Sequence, residues 1–280
     1  MNYEDYPIGI MQGRLSSPAG GKIQSFPKTT WKDEFFKAKK AGLSHIEWIF
    51  EGDDWQKNPI ISKKGVEEIR HLIGETGITI ESVCADYFMD FPYLNANGSE
   101  RKGLCEMLSR LVLQTKEIGG KYIDLPFVDA SKIKSRNEFP LVMEFIAPAL
   151  KIADKTGIII ALETSLNPED FKALLLFFSH PCLMANYDTG NSSSLGYDCR
   201  EELSAYGKWL RTVHIKDRKL NGGTVPLGTG DADFNEFFNM LAGLDYKGPI
   251  VLQAAREGDE VETAIKNIRF VRSHLERSNR

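Results

Sequence analysis

Cysteine is scarce in this sequence: four in 280 residues, Cys84, Cys105, Cys182 and Cys199, with no C-x-x-C pair. So thin a set excludes a disulfide-built scaffold and a Cys-type structural zinc site, and fits reduced thiols in a cytoplasm. Long apolar runs are missing too. The longest, residues 173–178, is a helix stripe and far short of the roughly 18 residues a membrane crossing needs, so no membrane partner is expected. Positive charge is not in excess: 35 Lys+Arg stand against 39 Asp+Glu, a net charge of -4, with no basic run of the kind that grips phosphate backbones. No nucleic-acid partner is expected. The opening Met1-Asn2-Tyr3-Glu4-Asp5 lacks the basic and apolar regions of a secretory leader, which again points to the cytoplasm.

What is present is ordinary globular material, 42% hydrophobic and 26% charged, enough to bury a large core. It is organised as a recurring unit: a helical pattern, a glycine that can end it, then a short apolar run. The clearest copy is Thr156-Gly157-Ile158-Ile159-Ile160-Ala161-Leu162-Glu163; others follow Gly42, Gly77 and Gly119, spaced 35, 42 and 38 residues apart. Glycine supplies the left-handed residue that stops a helix, and the spacing suits one helix plus one strand. Further strands are expected at 6–11, 183–188, 211–215 and 249–254, with helices near 30–41, 62–76, 100–118, 138–155, 168–179, 200–208, 234–244 and 260–276. Eight strands, each followed by a helix, predict an α/β fold, a (β/α)8 TIM barrel, in one domain over 1–280. A doubly wound sheet is the alternative, but no G-x-G-x-x-G follows the first strand. The irregular stretches 12–29 and 217–233 each follow a strand and would overhang the C-terminal mouth, where barrels do chemistry.

That geometry directs attention to the strand ends. Strand five ends in Leu162-Glu163, strand six in Tyr187-Asp188, strand seven carries Val213-His214 and strand eight Leu252-Gln253. A carboxylate, a carboxylate, an imidazole and an amide on four successive strands suit one divalent ion: Mn2+, Mg2+ or Co2+, with Zn2+ not excluded. Singly, each has a plainer role: Glu163 or Asp188 could cap the next helix, and His214 could be a core histidine. Their adjacency favours a shared site. Additional candidates for substrate contact are Glu47 on strand two, Glu169 after strand five, Asn191 after strand six, Lys216, and Arg14 in the first loop. Gly228-Thr229-Gly230 could offer amides to a phosphate or simply turn the chain. His45, His71, His180 and His274 read as structural.

Leu162-Glu163, Tyr187-Asp188-Thr189-Gly190-Asn191, Val213-His214-Ile215-Lys216-Asp217 and Val225-Pro226-Leu227-Gly228-Thr229-Gly230 together resemble the xylose-isomerase-like TIM-barrel superfamily. Within it the chain most resembles the branch of L-ribulose/L-xylulose 5-phosphate 3-epimerases and hexulose-phosphate isomerases. The likeness spans nearly the whole sequence and is strongest over 158–257. It implies a metal held by Glu163, Asp188, His214 and the strand-eight residue, a sugar or sugar-phosphate substrate, and, at the level of fold, a homodimer or homotetramer. Relatives that epimerise usually carry a second glutamate on strand eight, where this chain has Gln253. An amide oxygen can coordinate but cannot act as a base, so the resemblance leaves Glu163 as the sole carboxylate base among the ligands. The implied chemistry is isomerisation or epimerisation of a ketose or ketose phosphate through an enediolate, with Glu257 a candidate second acid if its loop folds back. Three other readings share these features: a non-catalytic metal- or sugar-binding relative, an abasic-site endonuclease, which would need more histidines and a basic face, and a keto-polyol dehydratase.

Overall fold

In the computed structural model, residues 6–18, 21–52 and 54–278 are described; the reading of the first five residues lies outside them. Eight parallel strands close into a barrel: β1 (Ile8–Met11), β2 (His45–Ile49), β3 (Thr79–Cys84), β4 (Tyr122–Phe127), β5 (Ile159–Thr164), β6 (Leu183–Asp188), β7 (Leu210–Ile215) and, after a short hairpin of β8 (Asp217–Arg218) with β9 (Thr224–Val225), β10 (Ile250–Leu252). The closed order is β1-β10-β7-β6-β5-β4-β3-β2, which is a (β/α)8 barrel. Around it run α1 (Asp33–Ala41), α2 (Lys63–Thr76), α3 (Tyr87–Asp90), α4 (Gly98–Glu117), α5 (Phe139–Thr156), α6 (Pro168–Phe178), α7 (Thr189–Leu195), α8 (Cys199–Tyr206), α9 (Phe234–Gly243) and α10 (Glu260–Ser278).

The repeated glycine does what its position requires. Gly157 takes φ 75° and donates its amide to Ala153, ending α5, and Gly42 and Gly77 end α1 and α2 in the same left-handed conformation. Gly9 has a different reason. A Cβ there would lie 2.1 Å from the His45 ring, so only glycine lets β1 pass that imidazole. His45 is fully buried and burial lowers its pKa to about 4, so it is a neutral core residue.

Side chains alternate along each strand. Ile46, Val213, Ile215 and Leu252 are buried against the helices, while His45, Glu47 and His214 are buried inside the barrel. Each fully buried aliphatic or aromatic side chain stabilises by about 1.5–3 kcal/mol, so the barrel tolerates a polar layer at one end. Parallel register sets that layer: Asp188 pairs with His214, and Val251 with His214 on the other side. The sequence pattern did not predict α3, α7 or the hairpin β8–β9, all held by tertiary contacts rather than by periodicity.

Candidate active site

The carboxyl ends of the strands open into a cavity of about 490 Å3 whose walls include Gln24, Cys84, Asp86, Glu163, Asn191, Lys216, Arg218 and Gln253. The two irregular loops both reach it, the first through Lys22, Ile23 and Gln24 and the second through Arg218, Gly223 and Thr224.

At its floor, His214 is completely buried with acids on both ring nitrogens. Nδ1 lies 3.3 Å from Glu163 Oε2 and 3.9 Å from Asp188 Oδ2; Nε2 lies 2.9 Å from Glu47 Oε2 and 3.9 Å from Asp124 Oδ2. Burial works to lower the imidazole's pKa, but the charge of Glu47 and the contacts with Glu163 and Asp124 outweigh it and hold the pKa well above the ordinary 6.5. For Glu163, burial opposes ionisation and loses to His214, Lys216 and Asn191, so this carboxyl is held below its usual pKa and stays ionised at neutral pH. Its oxygens accept from Asn186 Nδ2 at 3.0 Å and from Asn191 Nδ2. Asp124 goes the other way: burial first, then the charge of Glu163, push its carboxyl well up.

Asp188 divides its two oxygens between two tasks. Oδ1 caps α7 by accepting from the amides of Gly190 and Asn191, both at 2.8 Å, and Oδ2 faces His214 and the Lys216 ammonium, which is 3.3 Å away. Asp188 therefore caps the helix and faces the cluster at once. Lys216 also reaches Asn191 Oδ1 at 3.3 Å and Gln253 Oε1 at 3.0 Å, linking β10 to the cluster. The Gln253 amide passes the link on: its Nε2 donates to Gln24 Oε1 at 3.0 Å, and Gln24 Nε2 donates to Asp86 Oδ2 at 2.7 Å.

The residues fit a divalent cation. Asp124, Glu163 and His214 present donor atoms all within 4.8 Å of one another, and buried Asp124 Oδ1 has no hydrogen-bond partner among the described residues. A carboxylate on the far nitrogen of His214 is the usual partner of a metal-binding imidazole. A second trio of Asp154, His180 and Cys182 lies away from the mouth, and there His180 Nδ1 already accepts from the Cys182 amide.

Four expectations need correction. Glu47 is fully buried beneath His214, held by Ser82 Oγ at 2.7 Å, and is shut off from a substrate in the mouth. Glu169 lies exposed in the first turn of α6, outside the cavity wall. Arg14 is buried with its guanidinium bonded to the carbonyls of Ala254 and Ile23 and to Gln24, so it pins the first loop; burial, first, and then Arg256 lower its pKa to about 10. Glu257 pairs with Lys266 at 2.9 Å on a different crevice, beside α10. The Gly228-Thr229-Gly230 segment is a turn: the amides of Gly228 and Gly230 both donate to buried Asp217 at 2.8 Å and are not open to a phosphate. Asp124, Asp86 and Gln24 were missed. Asp124 alone carried a signal, a charge inside the apolar run Tyr122-Ile123-Asp124-Leu125.

The barrel thus carries acids, an imidazole and an amide at its C-terminal mouth, the face where parallel barrels place their active sites. Residues 35–274 match the family described as Xylose isomerase-like TIM barrel, and the chain belongs to that family. It is similar to the putative L-ribulose-5-phosphate 3-epimerase SgbU of Haemophilus influenzae, 26% identical over 258 residues covering 85% of this chain and 88% of that one. It is equally similar to the L-ribulose-5-phosphate 3-epimerase UlaE of Escherichia coli, 26% over 262 residues, 91% and 89%. Among solved structures, an L-ribulose 3-epimerase superposes with a TM-score of 0.77 at 15% identity over 98% of this chain and 96% of that one. A Mycobacterium smegmatis barrel protein in complex with magnesium gives 0.73 at 18% over 99% of each. The IOLI protein with a bound zinc atom gives 0.71 at 14% over 98% and 96%. Among the described residues, no helix is long and apolar enough to cross a membrane.

Proposed function

We propose that this chain is a divalent-metal-dependent isomerase or epimerase of a ketose or ketose phosphate, working through an enediolate with Glu163 as the base. The observation that carries the reading is the convergence of Glu163 and Asp188 on one nitrogen of His214 at the barrel mouth. The names of the curated relatives support the substrate class, and the magnesium- and zinc-bound barrels support a metal.

Glu163, Asp188, His214 and the Gln253 amide oxygen would hold the ion, be it Mn2+, Mg2+, Co2+ or Zn2+, with the Asp124 carboxylate within reach of Glu163 and His214 as a further donor. When bound, it supplies Lewis acidity that lowers the pKa of the hydrogen beside the substrate carbonyl and stabilises the negative charge that follows its removal. The remaining chemistry belongs to this chain. Glu163, ionised and fixed by two asparagine amides, takes the proton. Lys22, Lys216 and Arg218 on the cavity wall give an anionic substrate end a matching field. Gln253 orients through its two hydrogen bonds and moves no proton. A multinuclear nuclease centre is disfavoured, because His214 is the only histidine among the residues described around this cluster.

The test is exchange of carbon-bound hydrogen with deuterated water, followed by NMR across ketopentoses, ketohexoses and their phosphates, L-ribulose 5-phosphate included, with each metal in turn. Wild type exchanges at least one of them, and Glu163→Gln slows that exchange by about 1,000-fold or more. No exchange by metal-loaded wild type across the whole panel overturns the reading.

A further inference from the structure

Inverting a stereocentre takes a proton off one face and returns one to the other, and Gln253 leaves the metal-binding set one group short of that task. We propose that Asp86, just beyond the end of β3, is the acid that serves the face opposite Glu163. The inference rests on the epimerase form of the function proposed above.

Asp86 shares the mouth cavity with Glu163, Asn191, Lys216 and Gln253, and it stands on a different wall. In the barrel order β3 is two strands from β5 on one side and three from β10 on the other. One side chain spans the gap: the Gln24 amide donates to Asp86 Oδ2 and accepts from Gln253 Nε2, so Asp86 sits a single amide away from the strand-eight position. The other carboxylates on the cavity wall are committed elsewhere or face solvent. Glu51 accepts the Phe26 amide at 3.0 Å, Asp90 accepts the Gly52 amide at 2.8 Å, and Asp129 is exposed. Among the described residues, the Asp86 carboxylate is bound only by movable side chains, the Gln24 amide and the Cys84 thiol at 3.1 Å. Burial raises its pKa above the ordinary 3.8, and the charges of Glu163 and Glu47 add to that against the bonds from Gln24 and Cys84.

The step balances without any further reactant. The α C–H bond breaks toward Glu163, which becomes the carboxylic acid, while the electron pair enters the enediolate. The O–H bond of Asp86 then breaks as a new C–H bond forms on the other face, leaving Asp86 ionised. Exchange of both carboxyls with water restores the starting charges. Run backward, Asp86 is the base for the other epimer.

Asp86→Asn and Asp86→Glu test this in the full-length, metal-loaded protein, with the ketose pair that wild type interconverts in the panel above and circular dichroism to verify folding. In Asp86→Asn, inversion falls about 100-fold or more, and deuterium still enters the epimer whose hydrogen faces Glu163 at within about fivefold of the wild-type rate. Deuterium entry into the opposite epimer is lost together with inversion. Asp86→Glu recovers at least about a tenth of the inversion. Inversion by Asp86→Asn within about threefold of wild type overturns the proposal, as does an equal loss of exchange from both epimers. Failure of the underlying function is distinct: wild type itself then shows no exchange.

Discussion

Glu202 on α8 couples the stability of this barrel to pH in a direction that can be worked out in advance. The side chain is 5% exposed and accepts from Ser192, from the Tyr187 hydroxyl at 3.0 Å and from the Tyr206 hydroxyl at 3.1 Å. Burial raises its pKa to about 7 from an ordinary 4.5, and the hydroxyls only partly oppose it. The folded chain thus holds this proton more tightly than the unfolded chain does. Its contribution is complete below pH 4.5, is lost progressively between 4.5 and about 7, and stays lost above. A gap of about 2.5 pH units at about 1.4 kcal/mol each makes the loss about 3 kcal/mol. Glu34, which accepts the amides of Gly13 and Leu15 and is likewise raised to about 7 by burial, adds a loss of the same sign and size. Urea unfolding of wild type and Glu202→Gln, from pH 4.5 to 8, measures the difference. The variant loses about 3 kcal/mol less than wild type across that range, while the Glu34 share remains in both. Parallel curves for the two proteins would refute the reasoning, because they would mean that Glu202 is ionised in the fold at all these pH values.

Two other substitutions probe the frame of the site. Gly9→Ala drives a methyl to 2.1 Å from the buried His45 ring and costs about 3 kcal/mol, seen as a melting temperature lower by about 6–12 °C; an unchanged melting temperature would show that β1 and β2 can part there. Asp217→Ala removes the acceptor of the Gly228, Gly230 and Ala232 amides, so hydrogen exchange at those three amides accelerates while the barrel strands keep their protection. Unaltered exchange at the three would mean that the loop holds its shape by other contacts.

Much of this molecule was legible because the physics is local and periodic. Apolar runs that begin after a helix-ending glycine fix strands such as Ile159–Thr164, and the closed barrel brings consecutive strand ends together, which is why Glu163, Asp188 and His214 meet. What sequence could not supply was reach and depth. Arg14 and Glu257 sit in loops, and only the folded chain shows that one guanidinium turns to backbone carbonyls and that the carboxylate folds onto Lys266. Glu47 is on the expected strand, yet its register places it below the imidazole instead of at the mouth. The short helix α7, rich in serine and poor in intrinsic propensity, exists because Asp188 caps it and Glu202 grips Ser192, neither of which has a periodic signature. Asp86 lies beyond the last residue of β3, and its meaning depends on a glutamine 62 positions earlier in the chain.

The Lys216 ammonium, set between Asp188, Asn191 and Gln253, has a consequence for how the folded chain carries its own acids. Newly made chains must bury several acids at one spot, and without a resident positive charge their mutual repulsion would prise the mouth open. A tethered cation supplied by the polypeptide itself offsets that repulsion, so on the proposed function a divalent ion would trade one counter-charge for another.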